Sequence, residues 1–390
     1  MDTHSKNSNH SYFASTGTLN DQLADLHQRL RVSAPEIDRI SFALYDDEND
    51  HLKTYADSTF HGFELMHYEF PLSELPALKI CSETGESRYL GDIPNQLNAK
   101  YPHTKWLIEQ GYRSSLAVPV FLGNSVFQEK KFIGFIFLNS CQQHLFDESV
   151  AGSLKPFLDI IRFIITSEYD LVHSLLDSAS LVHSQSKAHW QESFEHRERI
   201  CRYAKVIALE VAHIYQLDDE IIENITQFSK CHDIGKLSVP ASLLTKSGSL
   251  INEERDQLQD HVEKGVEIIN QIIDEMGSPD HPCVAVLKEI VAYHHEFLDG
   301  SGYPYGLTQQ DIPVSARIIT VANVFDALTS HRPYKQAWSV PFALLELEKM
   351  VASGKLDKHC VNGLRYHQEY LKRVIEAYPE PDPKDRADRH

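Results

Sequence analysis

Apolar residues recur at the 3.6-residue spacing of amphipathic helices through almost the whole of residues 190–378. The recurrence predicts helices over residues 197–215, 218–232, 252–276, 283–295 and 314–329. Caps and breakers agree with these limits, because Asp218 opens one helix, Gly235 closes it and Pro282 precedes another. A glycine-rich loop over residues 298–306 is the exception. We therefore predict an all-α domain over residues 190–378.

Residues 19–168 carry a different pattern, in which helical and strand-like segments alternate. Strand signals cover residues 40–45, 52–58, 115–121 and 131–139. A helical segment over residues 147–165 follows them, with Asp147 as its N-cap. This order predicts an α+β domain over residues 19–168, built as an antiparallel sheet with flanking helices.

The segment between the two domains contains neither proline nor glycine from residue 168 to residue 196. We predict one long helix there, with a connecting helix over residues 169–189 and an apolar stripe formed by Leu171, Leu175, Leu176 and Leu181. Such a helix can form a homodimer interface and transmit the state of a sensor, or it can be an ordinary packing helix. Residues 1–18 and 379–390 are polar or charged, and we predict that both are disordered tails.

The composition excludes several classes of partner. The 390-residue chain has a net charge of −19, from 37 basic and 56 acidic side chains, whereas proteins that bind nucleic-acid polymers or anionic membranes carry a basic excess. Its six cysteines are scattered without a CxxC spacing, which is typical of free thiols in a reducing cytosol. No apolar run is long enough to insert into a membrane. We expect a cytoplasmic protein in which any phosphate ligand meets a local positive site.

Histidines and acidic residues cluster at the predicted helix ends, in groups that suit transition metals. Imidazole nitrogens bind such ions, and a carboxylate can bridge two of them. Adjacent residues on a helix point about 100° apart, so two neighbours can reach one ion only where a helix ends, and Gly235 would supply that end. The sequence therefore predicts a metal centre with seven potential ligands: Glu192 and His196, spaced i and i+4, the pair His232-Asp233, His261, and the pair His294-His295.

The order of these residues resembles the HD-GYP family, a subset of the HD metal-dependent phosphohydrolases. The resemblance covers roughly residues 190–339. It rests on the ligand pairs above, on the loop Asp299-Gly-Ser-Gly-Tyr-Pro304, and on the segment Phe325-Asp-Ala-Leu-Thr-Ser-His-Arg-Pro-Tyr-Lys335. The resemblance implies a phosphodiesterase for cyclic di-GMP, or for a related mixed cyclic dinucleotide, with two or three iron or manganese ions as cofactors.

The resemblance also implies roles for single residues. The metal ligands would be Glu192, His196, His232, Asp233, His261, His294, His295 and Asn323. Asp233 would bridge two ions, and Glu192 with His196 would complete a third site. Asp233 and Lys236 would be catalytic. Lys236, Asp326, Arg332 and Lys335 would steer the substrate phosphates or hold the site. Tyr303 would bind substrate from the substrate loop.

Asn323 departs from the family pattern, which has a metal-ligating aspartate at this position. An asparagine still offers a carbonyl oxygen, but a neutral one, so we expect weaker affinity for one ion and altered acidity of its bound water. We hypothesise a working but metal-selective enzyme.

The N-terminal pattern resembles a GAF domain, a small-ligand sensor module. The similarity rests on strand order and on the segments Ser115-Leu-Ala-Val-Pro-Val120 and Gly134-Phe-Ile-Phe-Leu-Asn139. GAF modules bind cyclic nucleotides, haem or other small molecules, or only dimerise, and the sequence does not select among these. The resemblance implies regulation of the C-terminal domain by an unknown small ligand.

Together these features predict hydrolysis of cyclic di-GMP to pGpG, with onward cleavage to GMP if the third metal site is filled. Three alternatives stay open. The chain could be a non-catalytic cyclic-dinucleotide receptor, which Asn323 favours, or a phosphohydrolase of other nucleotides such as (p)ppGpp, which the Gly302-Tyr303-Pro304 loop opposes. It could also be an interaction protein that docks a partner such as a cyclic di-GMP synthase.

Overall fold

The computed structural model describes residues 17–123, 130–185, 193–244, 246, 248–330 and 337–380. The predicted disordered tails lie almost entirely outside these ranges. Within them, the chain forms a six-stranded sheet with flanking helices, followed by a purely helical region. Both predicted fold classes are confirmed.

The sheet is antiparallel throughout, in the order β3-β2-β1-β6-β5-β4. Four of its strands are those that the alternation predicted, and the two short edge strands were not expected. The strands are β1 (Arg39–Asp46), β2 (His51–Thr59), β3 (Glu69–Pro71), β4 (Arg88–Leu90), β5 (Ser114–Leu122) and β6 (Lys131–Ser140).

Five helices belong to the sheet region: α1 (Leu19–Leu30), α2 (Pro76–Thr84), α3 (Ile93–Gln96), α4 (Pro102–Glu109) and α5 (Glu148–Gln185). α1 begins with a capping box, in which Thr18 Oγ1 accepts from the Asp21 amide and the Asp21 carboxylate accepts from the Thr18 amide. α1 and the first half of α5 bury their apolar faces on one side of the sheet, whereas α2 covers the other side.

α5 corrects the prediction of two separate helices over residues 147–165 and 168–196. It is one helix of 38 residues that continues through Pro156. Its first half packs in the core of the sheet through Leu158 and Ile165, and its second half packs in the core of the helical region through Val172 and Leu175. The predicted stripe thus packs within the chain, and of its four leucines only Leu181 is exposed. A new helix begins at Phe194, so residues 168–196 are not one helix.

The helical region contains α6 (Phe194–Tyr215), α7 (Asp219–Phe228), α8 (Ala241–Leu244), α9 (Asn252–Gln259), α10 (His261–Glu275), α11 (Pro282–Tyr293), α12 (Val314–Thr329), α13 (Val340–Ala352), α14 (Lys358–Tyr366) and α15 (Gln368–Ala377). Most of them surround a single core that includes Ile207, Ile225, Phe325 and Leu347. The helix predicted over residues 252–276 is divided at Asp260, so His261 opens a helix instead of lying within one.

Polar contacts join the sheet region to the helical region. Asn20 Nδ2 donates to Asp218 at 2.9 Å, and Lys205 Nζ forms an ion pair with Glu69 at 2.8 Å. His67 Nδ1 lies 2.6 Å from Asp219. None of the helices among the described residues combines the length and hydropathy needed to cross a lipid bilayer.

Candidate metal centre

His232 and Asp233 lie between two short 3-10 turns, Ser229–Cys231 and Ile234–Ser238. The prediction that Gly235 ends their helix is wrong, because α7 already ends at Phe228. Gly235 is needed for a different reason. A Cβ atom at this position would overlap the carbonyl oxygen of His261, so only glycine lets the turn pack against α10.

Three histidines from three elements converge on Asp233. His261 is the first residue of α10, and His294 is the C-cap of α11. The Nε2 atoms of His261 and His294 lie 3.1 and 3.5 Å from Asp233 Oδ1, and His232 Nε2 lies 3.2 Å from Asp233 Oδ2. All four side chains are at most 4% exposed. The structure therefore brings together candidate ligands that the sequence places up to 62 residues apart.

The main chain sets the tautomer of each of these histidines. The Nδ1 atoms of His232 and His261 lie 2.8 and 2.7 Å from the carbonyl oxygens of Ser229 and Leu258, and His294 Nδ1 lies 3.1 Å from two carbonyl oxygens of α11. A carbonyl only accepts, so each Nδ1 carries the ring proton. Each Nε2 then presents a lone pair.

These lone pairs face a carboxylate that can only accept. Among the described residues, neither the three Nε2 atoms nor Asp233 Oδ1 has a hydrogen-bond partner. Buried acceptors that face one another repel unless a proton or a cation lies between them. The donor set, imidazole nitrogen with carboxylate oxygen, fits a divalent transition metal.

The electrostatics keep the cluster in its metal-binding form. Burial raises the pKa of the Asp233 carboxyl, but Lys236 and His232 outweigh it and hold the net pKa well below the usual range. Burial lowers the pKa of His294 to about 4 and lowers the pKa of His295 as well. The carboxylate is therefore charged, and these imidazoles are neutral, at physiological pH.

His295 and Tyr303 form one side of the cluster. His295 joins Asp233, His261 and His294 in a group whose ligand atoms all lie within 4.8 Å of one another. The Tyr303 ring stacks on the His295 ring, with centroids 4.6 Å apart and planes 21° apart. Tyr303 also meets the His261 ring edge to face at 6.4 Å. The loop tyrosine is thus part of the wall of the cluster.

His196 provides a second group, with its ligand atom within 4.8 Å of those of His232 and Asp233. Its Nδ1 lies 2.7 Å from Asp326 Oδ2. Arg199 donates hydrogen bonds to the same carboxylate from Nε and Nη2, at 2.6 and 3.0 Å. Burial raises the pKa of Asp326, but His196 and Arg199 outweigh burial and lower it strongly. Asp326 is 1% exposed, so it fits the role of holding the site rather than that of contacting substrate.

Sequence reasoning missed Glu296, which fixes the glycine-rich loop. Its carboxylate accepts hydrogen bonds from the amides of Tyr305, Gly306 and Leu307, at 2.8, 3.2 and 3.0 Å. Gly302 packs so closely on Phe297 and Glu296 that a Cβ atom would overlap their main chain. Glu296 is 2% exposed and directly follows His295. The sequence did carry a signal for this role. Glu296 is a charged residue between the His294-His295 pair and a glycine-rich loop, whose main-chain amides can donate to a carboxylate.

Of the remaining predicted site residues, the structure describes Lys236 and Asn323. Lys236 forms an ion pair with Asp233. Asn323 is half-buried on α12, one turn after Thr320, whose hydroxyl donates to the His294 carbonyl, and one turn before Asp326. Glu192, Arg332 and Lys335 lie outside the described residues.

Comparison with known families finds a match to the helical region. Residues 183–360 match the model of the HD domain family. The chain is 35% identical over 201 residues to the 3'3'-cGAMP-specific phosphodiesterase 2 of Vibrio cholerae serotype O1, which covers 50% of this chain and 36% of that protein. It is 36% identical over 178 residues to the cyclic di-GMP phosphodiesterase response regulator RpfG of Xanthomonas campestris pv. campestris, over 45% of this chain and 44% of that protein. The chain thus spans less than half the length of these two curated relatives.

Among solved structures, the phycocyanobilin-bound GAF domain from a cyanobacterial phytochrome is similar to this chain. The identity is 15% and the TM-score 0.31, over 40% of this chain and 89% of that one.

Proposed function

We propose that this chain, which carries an HD domain over residues 183–360, is a metal-dependent phosphodiesterase that hydrolyses cyclic di-GMP to pGpG. The single observation that carries the proposal is the set of histidine Nε2 lone pairs turned on Asp233, because this arrangement suits a divalent cation. The two relatives named above act on cyclic di-GMP and on 3'3'-cGAMP by their names, so the substrate class is a cyclic dinucleotide.

The two groups of ligands would hold two ions with Asp233 in common. One ion would be held by Asp233, His261, His294 and His295, and the other by His196, His232 and Asp233. We propose iron or manganese, with Glu192 and Asn323 as further ligands and a third ion as an option. Bound metals of this kind lower the pKa of water toward neutrality and stabilise charge on a phosphate group, which is the chemistry that hydrolysis of a phosphodiester requires.

The protein's own residues have separate tasks in this proposal. Asp233 positions the two ligand groups relative to each other, and the Lys236 ammonium beside it adds positive charge where the phosphate would carry negative charge. Tyr303 packs on His295, so it would contact a substrate bound beside that ligand group. Arg332 and Lys335 would bind phosphate oxygens. Asp326 would orient His196.

A receptor that binds a cyclic dinucleotide without cleaving it is the second candidate, and Asn323 is the residue that favours it. Exchange of Asn323 for aspartate restores a charged ligand. If the chain is a working enzyme with one weak site, Asn323→Asp should raise the affinity for that ion roughly tenfold. Titration of metal into chelator-treated protein measures this, with Asn323→Ala as the control that removes the carbonyl ligand. Identical metal content and turnover in Asn323→Asp and wild type would show that the missing charge has no effect.

We further propose that the sheet region is a GAF-like sensor that regulates hydrolysis. A cavity of about 240 Å³ lies on the α2 and α4 side of the sheet, among the rings of Tyr68, Phe70, Tyr101, His103 and Trp106. A small aromatic or apolar ligand suits such a lining. Homodimerisation and docking of a cyclic di-GMP synthase belong to the same proposal and are tested separately, by the mass of the protein in solution and by co-purification.

The deciding experiment begins with anaerobic purification and a count of the metals. Iron-loaded and manganese-loaded protein is then incubated with cyclic di-GMP, 3'3'-cGAMP and pGpG, and the products are separated by chromatography. We expect pGpG from cyclic di-GMP, and no product from Asp233→Asn. Nucleotide binding without turnover in both metal-loaded forms would overturn the enzyme proposal and leave the receptor.

A further inference from the structure

A second cluster of metal-ligating side chains lies where the sheet region meets the helical region. It consists of Glu168 on α5, Glu220 on α7 and His281, the N-cap of α11. Glu168 stands on α5 between Ile165, which packs in the sheet core, and Val172, which packs in the helical core. These three residues are called the junction cluster below. None of them belongs to the centre around Asp233.

Each member of the junction cluster is anchored by one atom. Glu168 Oε1 accepts a hydrogen bond from the Tyr55 hydroxyl at 2.7 Å. Glu220 Oε2 accepts a hydrogen bond from the main-chain amide of Asn20, in the first turn of α1, at 3.3 Å. His281 Nδ1 accepts from the Cys283 amide at 3.3 Å. Three different elements thus fix the orientation of the three side chains.

The second polar atom of each of these side chains is left without a partner. Among the described residues, Glu168 Oε2, Glu220 Oε1 and His281 Nε2 form no hydrogen bond. Glu168 is 5% exposed and Glu220 is 1% exposed. Two buried carboxylates with unsatisfied oxygens are unfavourable unless something positive lies between them.

The distances suit a metal ion. One ligand atom of each residue lies within 4.8 Å of those of the other two, and His281 Nε2 is 3.9 Å from Glu168 Oε2, which is beyond hydrogen-bonding distance. Ligands of a divalent transition metal at ~2.0–2.2 Å from the ion are themselves ~3–4 Å apart. Small side-chain adjustments would close the cluster on an ion.

Protonation of the junction cluster should compete with metal binding. Burial, with Asp218 adding to it, raises the pKa of Glu168 to about 7. Burial and the neighbouring charges of Glu168 and Asp218 raise the pKa of Glu220 to about 9. A bound cation would replace the protons that these groups otherwise take up, so metal binding should release protons and tighten as pH rises.

From this geometry we infer that the junction cluster is a binding site for one divalent transition metal ion, such as Zn²⁺, which joins the sheet region to the helical region. Its ligands are Glu168, Glu220 and His281, and water would complete the coordination. The His281 side chain is partly buried, with 12% of it exposed. Binding through Nε2 moves the ring proton to Nδ1, so the contact with the Cys283 amide is exchanged for the metal bond.

Metal counting in variants of the 390-residue chain tests this site separately from the centre around Asp233. The protein is loaded with excess Zn²⁺, freed of unbound metal by gel filtration and analysed by mass spectrometry of its elements. The variants are Glu168→Gln/Glu220→Gln, His281→Gln, Asp233→Asn, and Glu289→Gln as the matched control. Glu289 lies on α11, and its carboxylate contacts Ser315 rather than the cluster.

We expect the double glutamine variant to hold about one Zn²⁺ per chain less than wild type. Asp233→Asn should lose metal from the other centre and keep this ion, and Glu289→Gln should match wild type. Equal zinc content in the double variant and wild type overturns the inference, whether or not the phosphodiesterase proposal holds. The double variant removes both buried carboxylates together and so leaves no unpaired charge between them, and circular dichroism confirms that each variant is folded.

A second measurement excludes a proton as the occupant. The melting temperature is recorded with Zn²⁺ and with EDTA between pH 6 and 9, in the Asp233→Asn background so that the other centre contributes least. With the metal site intact, Zn²⁺ should raise the melting temperature by several degrees, and the double glutamine exchange should abolish that rise. A melting temperature that depends on pH but is the same in Zn²⁺ and EDTA would assign the cluster to a proton and overturn the metal site.

Discussion

His196 Nδ1 lies 2.7 Å from Asp326 Oδ2, so the two residues form a carboxylate–histidine pair at the edge of the metal centre. Because a carboxylate accepts, the ring proton of His196 is on Nδ1, which leaves Nε2 as the atom that could bind a metal ion together with His232 and Asp233. The same carboxylate neutralises Arg199, which is 2% exposed. Asp326 thereby fixes the tautomer of His196 and balances the buried charge of Arg199.

Exchange of Asp326 for asparagine should damage both functions. The amide replaces one of the two carboxylates that pair with Arg199, the other being Glu380, so we expect a loss of about 2 kcal/mol in the free energy of unfolding. The affinity for the ion that His196 binds should fall roughly 10–100-fold. Urea denaturation and metal titration measure the two effects. Ser330→Ala removes only a hydroxyl that contacts Asp326 and Arg199, and should change each by far less. Equal metal affinity in wild type and Asp326→Asn would refute the positioning role.

Glu296 should affect substrate binding more than metal binding. Glu296→Gln removes the charge and one of the oxygens that hold the amides of residues 305–307, so the loop that carries Tyr303 loses its fixed position. We expect KM for the cyclic dinucleotide to rise roughly tenfold, because a hydrogen bond to a charged group contributes ~1.5–3 kcal/mol. Metal content should not change. Glu267→Gln, at an exposed ion pair on α10, is the control. Loss of metal together with the change in KM would contradict this separation of roles.

Gly235 and Gly152 provide a matched pair for the packing of the turn on α10. Gly235→Ala places a methyl group against the His261 carbonyl, and we expect destabilisation by about 2 kcal/mol or more and weaker metal binding. Gly152→Ala adds the same group to an exposed position of α5 with nothing within 4 Å, and should stabilise by ~0.5–1 kcal/mol. Thermal melts and metal titration report both. If the two variants behaved alike, the close approach at Gly235 would be without consequence.

The sheet region should lose stability in mild acid through His103. Burial, with a smaller effect of Arg88, lowers the pKa of His103 to about 4 from an ordinary value of 6.5. The unfolded chain therefore takes up a proton near pH 6.5 and the folded chain only near pH 4, so stability is full above pH 6.5 and declines between the two values.

Comparison of His103→Gln with wild type isolates this histidine from the others. The wild type should lose about 2 kcal/mol more than the variant between pH 7 and pH 4. Urea denaturation followed by tryptophan fluorescence measures it, since Trp106 lies one turn away on α4. His213→Gln, at an exposed site on α6, should follow the wild type. The same acid loss in wild type and His103→Gln would contradict the shift.

Elements with a strong repeating pattern could be predicted from the sequence. The helix over residues 314–329 agrees with α12 to the residue, and the four predicted strands differ from the observed ones by about one residue at each end. In both cases the pattern of apolar residues reports which face of one element is buried, and that information is local. The convergence of His232, Asp233, His261 and His294 was also expected from the sequence, because the order of these residue types is itself specific, and their role as metal ligands stays a prediction.

Features that depend on a second element could not be predicted in this way. Gly235 looked like a helix stop, but the reason for glycine is the approach of α10, which no local pattern reveals. The partners of Asp326 lie some 130 positions away in the chain. The prediction divided α5 because its apolar stripe changes packing partner near Glu168. The sequence of a stripe does not indicate against which core it packs.

Because α5 contributes to both cores, the boundary between the two regions runs through the middle of a helix. A fragment that begins at residue 190 would lose Val172, Leu175 and Ala179, and with them part of the wall of the helical core. Such a fragment would expose an apolar trough and tend to self-associate. Because α5 packs in both cores, the sheet and the helices should unfold in one cooperative transition. Neither core can unfold without displacing the helix that completes the other.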